Sequence, residues 1–379
     1  MPARDRALDG LRGIAVLMVI VLHTVHFDKH KVFFKELNRL IGTGWMGVDL
    51  FFVLSGFLIT RILIQTRDDP ARARNFYMRR ALRILPAYYF YLLCVFAVLW
   101  LLPGLATRFS QSLQWVPHFL FFTQNLATAA GSEAAPVREL THLWSLAVEE
   151  QFYLFWPWLV WRLRTEDLPR MCIRVVLIAW GFKLLLAAFG VWWHAIYVLP
   201  FTRMDGFAIG AYLAAHQLLG RSVFPAWIRP LPWLGFWLLV AQYLAMGGLH
   251  DMSAAETAIA TSSTVLMFGG VLHRALTAPE HGWLDRALGN RVLIFFGAYS
   301  YGLYLIHYGV DTAARAFVQP LIQPYLTGNR LRLLIAAGGL ATSVGLAVLM
   351  HRLVEQPALR LKRHFKSPSA LPASPQRMA

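Results

Sequence analysis

The chain has 379 residues, 57% of them hydrophobic and only 15% charged, whereas soluble globular proteins carry about 25% charged residues. Its apolar residues gather in blocks of about 20, the length that crosses a bilayer as a helix, and not in the alternating ten-residue segments of a membrane β-barrel. A soluble enzyme, a disordered chain and a porin are excluded, and the formal charge of +16 has to be read against where the cations fall before it counts as a nucleic-acid signal.

Ten blocks follow in chain order, at about 9–27, 45–64, 81–102, 142–161, 172–193, 199–219, 231–249, 254–273, 292–310 and 333–351. The first holds Arg12 and His23 and lacks a small-x-small cleavage site, so a retained helix is expected rather than a signal peptide. Between the third and fourth runs a loop, 103–141, whose apolar stretch 113–127 contains Pro117 and His118. That stretch is short for a span and is expected to be re-entrant or interfacial; counting it as a span would reverse every later loop.

Cations orient the blocks. With the N-terminus inside, Arg67, Arg72, Arg74, Arg79 and Arg80 fall on the cytoplasmic side, as do Arg162, Arg164 and Arg170. Arg221, Arg229, Arg274, Arg286 and Arg291 join them, and so does the run Arg360, Lys362, Arg363 and Lys366. One outer loop dissents, with Lys29, Lys31, Lys35 and Arg39. The expected fold is all-α, a polytopic membrane domain of about ten helices over 1–366 with both termini cytoplasmic. A Ser/Pro/Ala-rich tail, 367–379, is expected to be disordered. Most of the net charge thus orients helices, and no nucleic-acid partner is expected. Cys94 and Cys172 offer neither a disulfide framework nor metal-ligand spacing.

Ionisable residues inside spans are costly and usually functional or paired. Arg12 and His23 are eleven residues apart, ~1100° of rotation, so they share a helix face ~16 Å apart along the axis. Headgroup anchoring of Arg12 and a carbonyl bond from His23 would account for them equally well. Arg80 and Arg83, an i, i+3 pair, share a face; their planar donor forks suit a polyphosphate, and an ordinary cytoplasmic anchor is the alternative. Glu149 and Glu150 lie within the fourth block and point ~100° apart, so at most one meets a given partner. Asp49, Arg203, Asp205 and His307 lie near outer helix ends, where pairing between helices or contact with interfacial water would also explain them; Tyr304 and Ser300 share the face of His307. Ser145 and Tyr153 are further supporting candidates. The layout places Arg12, Arg80 and Arg83 on the cytoplasmic side and His23, Asp49, Glu149, Glu150, Arg203, Asp205 and His307 in the outer half, which suits an anionic ligand entering from the cytoplasm.

The segments ALDGLRGIAVLMVIVLH, GWMGVDLFFVLSGFLIT, FYMRRALRILPAYY, HLWSLAVEEQFYLFWP, RMDGFAIGAYLA and GAYSYGLYLIH resemble, in order over about 7–357, the motifs of acyltransferase family 3, bacterial integral-membrane O-acyltransferases. The resemblance implies ten helices, cytoplasmic termini, a place in the inner membrane and an acyl-CoA donor, acetyl-CoA by default, with no metal. It maps the family's Arg-x10-His motif onto Arg12 and His23 and its Arg-x-x-Arg motif onto Arg80 and Arg83. Some members add an extracytoplasmic esterase-like domain, and none is expected within these 379 residues. The acceptor it implies is a surface glycan, a lipid-linked sugar or a metabolite.

On this reading His23 is the general base or a transient acyl carrier. Glu150, or Glu149, would orient it, and Arg12, Arg80 and Arg83 would hold the coenzyme A phosphates. A proton-coupled secondary transporter is the rival, although no inverted repeat is visible. Oligomeric state, acyl length and acceptor stay open.

Overall fold

The computed structural model describes residues 3–28, 32–102, 106–131, 138–219, 225–249 and 252–365. Lys29, Lys31, Arg221, Lys366 and the 367–379 tail lie outside these residues. The longer helices are α1 (Ala3–Thr24), α2 (Val32–Gly42), α3 (Met46–Gln65), α4 (Arg72–Leu101), α5 (Trp144–Arg162), α6 (Leu168–Ala188), α7 (Pro200–Leu218), α8 (Leu231–Met246), α9 (Ala254–Thr277), α10 (Arg291–Ala298), α11 (Ser300–Ala313) and α12 (Gly328–Met350). No β-strand occurs among the described residues.

Every apolar block falls on one of these helices except the ninth, which falls on two. There α10 and α11 meet at Tyr299 with a bend of 77°. Among the described residues six helical segments are long and apolar enough to cross a membrane, or seven with the bent pair taken as one. The α5 and α7 helices carry interior charges that dilute their hydropathy, and α8 has only 16 residues. The protein is a multi-pass membrane protein that exposes large apolar side chains and buries charged ones within an otherwise apolar core. On α7 Arg203 and Asp205 are buried, while Leu184 on α6 and Leu244 on α8 are exposed.

Loop contacts sort the helix ends. Arg67, just past α3, donates to Thr165 Oγ1 (2.7 Å) and to the carbonyls of Val160 and Leu163 (2.5 Å each), holding the ends of α3 and α5 on one face. On the opposite face the Asp28 amide, after α1, donates to Asn329 at the start of α12 (2.7 Å). The 113–127 stretch breaks into pieces such as Val116–Leu120 and Gln124–Ala129, far short of a span. Tyr88 and Tyr89 of α4 pin it by donating to the carbonyls of Phe119 and Leu120 (2.9 Å each).

Glycines set how closely the helices pack, since small residues let membrane helices approach backbone to backbone. The α3–α7 crossing is reciprocal: a Cβ at Gly56 would stand 2.0 Å from the Phe207 carbonyl oxygen, and one at Gly210 would stand 1.9 Å from that of Val53. Gly56→Ala and Gly210→Ala should each lower stability by about 1–3 kcal/mol through overpacking. Thermal unfolding of the purified variants in detergent checks this, and an unchanged midpoint would contradict the close crossing.

Candidate functional site

A polar track runs through the helix bundle, and it begins in a basic cavity of about 260 Å³ whose lining includes Arg72, Arg79, Arg80, Arg83 and Lys362, with no acidic residue among the described residues of its walls. Arg80 and Arg83 face the same way because they lie one turn apart on α4. They also line the next, narrower cavity, of about 90 Å³, together with Arg12, Ser55, Glu149 and Tyr153. The structure therefore brings Arg12, Arg80 and Arg83 to one place. Arg12 is additionally bonded to Asp9 (3.2 Å), and the Arg80 guanidinium sits 5.1 Å from the Tyr153 ring centroid.

Glu149 corrects the expected layout. Its carboxylate accepts from Ser55 Oγ, to which Tyr153 OH donates (3.2 Å), so it belongs to the arginine cavity and not to His23. The reason is helical rise: Glu149 lies five residues, roughly 7.5 Å, down α5 from Trp144, which lines the cavity next to His23. Glu150 projects from another side of α5, with Oε1 buried and without a hydrogen-bond partner among the described residues. Neither carboxylate bonds His23 in any contact the structure records.

His23 is held by another histidine. Its Nδ1 lies 2.9 Å from Nε2 of His307, and the rings are stacked with centroids 5.1 Å apart. The tautomers follow from the partners. Nδ1 of His307 meets only carbonyl oxygens, of Tyr304 (2.8 Å) and Leu303 (3.1 Å), so it must carry the proton. In neutral His307, Nε2 then accepts, which makes Nδ1 of His23 the donor and leaves the lone pair of His23 on Nε2. A third ring, His142, packs against His307 at 5.1 Å and donates from Nε2 to the Leu305 carbonyl (3.1 Å).

Tyr304 and Ser145 form the partition between the arginine cavity and these histidines. Tyr304 OH donates to the His142 carbonyl (2.9 Å) and is hydrogen-bonded to Ser145, and both residues line the lower cavity. Beyond the partition His23 and His142 open on a third cavity of about 220 Å³, walled by Trp115, Trp144, Trp193 and Tyr197.

Asp49, Arg203 and Asp205 line none of the three cavities. Arg203 pairs with Asp49, and Asp205 pairs with Lys183 at 2.6 Å, all four being fully buried. Arg203 also lies over the Tyr197 ring, 5.2 Å from its centroid, so this charge cluster backs one wall of the aromatic cavity. Sequence reasoning missed Lys183, a cation near the middle of the fifth apolar block that the rule on intramembrane charges should have flagged. It also passed over His142, the first residue of the quoted HLWSLAVEE segment. Among the described residues no cluster of three His, Cys, Asp or Glu could hold a metal ion.

The profile of an acyltransferase domain matches residues 5–352. The peptidoglycan O-acetyltransferase OatA of Listeria monocytogenes is 29% identical over 93% of this chain and 55% of its own length. The O-acetyltransferase OatA of Staphylococcus aureus is 27% identical over 98% of this chain and 60% of its own. The chain thus spans a little over half the length of these curated relatives. No solved structure matches it.

Removing one member of a buried ion pair strands the other, at a cost of about 3–5 kcal/mol. Lys183→Met should therefore be severely destabilised, and Lys183→Met combined with Asp205→Leu should recover most of the loss. If thermal unfolding shows the double variant no better than the single one, the pair is not the cause.

Proposed function

Because the chain belongs to the acyltransferase 3 family, we propose that it is an integral-membrane O-acyltransferase, moving an acyl group, acetyl by default, from cytoplasmic acyl-CoA to a hydroxyl of a cell-surface glycan or related acceptor. The observation that carries this reading is the polar track itself: five cations at one end, an imidazole at the other, and between them a narrow cavity closed by the Tyr304–Ser145 partition. Peptidoglycan enters as an acceptor through the name of the Listeria relative. A ten-span arrangement, with both termini and the basic cavity on the cytoplasmic side of the inner membrane, accounts for the distribution of arginines.

Arg72, Arg79, Arg80, Arg83 and Lys362 would receive the phosphates of the donor, since guanidinium forks match phosphate oxygens. The slender pantetheine arm would pass Arg12, Glu149 and Tyr153 and bring the thioester to the Tyr304–Ser145 partition. There the Nε2 lone pair of His23 would take the proton of the acceptor hydroxyl. The new oxygen–carbon bond forms, the carbon–sulfur bond breaks, and the thiolate recovers that proton to leave as the thiol. A hydroxyl donor such as Tyr304 or Ser145 at the partition would stabilise the oxyanion. A transient acyl group on His23 is an equally balanced route. His307 takes the orienting role first expected of Glu150 or Glu149.

Purified protein in detergent, given labelled acetyl-CoA and a glycan acceptor, should release thiol in proportion to acceptor acylated; solute flux into vesicles without thiol release would instead mark a transporter. His23→Ala should abolish transfer while leaving the protein folded, and turnover like that of the wild type would sink its assignment. His307→Ala should lower turnover by about 10²-fold, the scale of a positioned base, with partial recovery in His307→Gln, whose Oε1 accepts the same bond. Arg80→Gln with Arg83→Gln should raise the KM for acyl-CoA, and an unchanged donor KM would remove those residues from the phosphate site.

A further inference from the structure

The aromatic cavity above His23 has walls with an unusual chemical bias. Among the described residues that line it, none is Lys, Arg, Asp or Glu. What it presents instead are ring faces and unpaired acceptors. Gln124 is 3% exposed and its Nε2 donates to the Leu143 carbonyl (2.9 Å), which fixes the amide and leaves Oε1 buried without a partner. His142 is 5% exposed; with Nε2 committed to the Leu305 carbonyl, its Nδ1 holds a lone pair that also lacks a partner. Nδ1 of His194 is likewise unpaired, on a ring stacked 3.5 Å from that of Trp193.

Buried acceptors left unpaired cost free energy, and in native proteins they are met by water or by a ligand. A ligand that suits these must donate hydrogen bonds in several directions. It must also offer an apolar face of C–H groups to the electron-rich faces of Trp115, Trp144, Trp193 and Tyr197. An anion is the wrong partner, because it would confront lone pairs and ring faces with no cation to balance it. We infer that this cavity is a subsite for an uncharged sugar ring, holding a neutral hexopyranose by stacking and by hydroxyl donation to Gln124 and His142, with one hydroxyl beside His23. This inference rests on the O-acyltransferase reading for its role and on the cavity walls for its ligand. It narrows the acceptor to a neutral saccharide unit and excludes a sugar bearing phosphate or carboxylate at the acylated residue.

The test uses the full chain in detergent and reads tryptophan fluorescence during titration with two probes, an uncharged N-acetylglucosamine tetramer and an anionic galacturonic acid tetramer. The neutral probe should give a saturable change and the anionic one none. Trp193→Ala should weaken the neutral probe about tenfold, the scale of an aromatic stacking contact, and His194→Phe should weaken it several-fold, about the effect of one lost hydrogen bond. Trp283→Ala, at a tryptophan 77% exposed and remote from the cavity lining, should leave binding unaltered. Equal binding of the anionic probe overturns the inference, and so does the absence of any saturable response, which would mean that the cavity holds only water. Acetyl-CoA-dependent thiol release, followed in parallel, separates the two claims. Saccharide binding without thiol release sustains the subsite and overturns the acyltransferase reading. Thiol release with an acceptor KM indifferent to Trp193→Ala and His194→Phe overturns the subsite alone.

Discussion

A charge withdrawn from water into hydrocarbon is tolerated only beside a counter-charge, and this requirement organises the middle of the bundle. Lys183 on α6 meets Asp205 on α7, and Arg203 on α7 meets Asp49 on α3. Three helices are thereby tied by two pairs, in a region where lipid supplies no hydrophobic force to press helices together. Two of the three, α3 and α7, are seated by the Gly56–Gly210 crossing, which only residues without a Cβ permit. Once α3 and α7 are fixed in depth and rotation, Phe52 and Tyr197 pack against Arg203. Tyr197 then stands as one wall of the outermost cavity. The site therefore rests on charged side chains that line none of the three cavities.

From that frame the three cavities follow as a gradient of chemistry. The first is cationic, the second mixes Arg12 and Glu149 with phenol and hydroxyl groups, and the third is uncharged and aromatic. Each is walled by several helices, so no single motif contains a complete site. Arg12 and His23 share the first helix yet line different cavities, which is what eleven residues of rise impose.

Much of the fold could be read from the chain. Block positions, the failure of 113–127 to span and the shared location of Arg12, Arg80 and Arg83 all derive from local periodicity and length, which a sequence displays directly. The bend at Tyr299 was not legible, because 292–310 reads as one continuous block and has no Pro to announce a break. The partner of His23 was also hidden. A carboxylate is the usual support of a catalytic imidazole, and Glu149 and Glu150 were the intramembrane carboxylates nearest in the pattern. Choosing between them and His307 depends on how far down α5 a residue sits relative to α1, a relation between helices that no spacing within one helix encodes. Lys183 was legible and simply outweighed by the apolar run around it.

The line of hydrogen bonds from α11 to His23 has a direction set by main-chain geometry. Backbone carbonyls of Leu303 and Tyr304 can only accept, so the orientation passes outward through His307 to His23 without any titratable acid taking part. No mutation of a side chain can reverse that polarity, and no change of pH can protonate those carbonyls. The contact that His307 makes with His23 joins two neutral rings in these tautomers. Which ring nitrogen of His23 faces α11 is thus settled by the main chain of another helix.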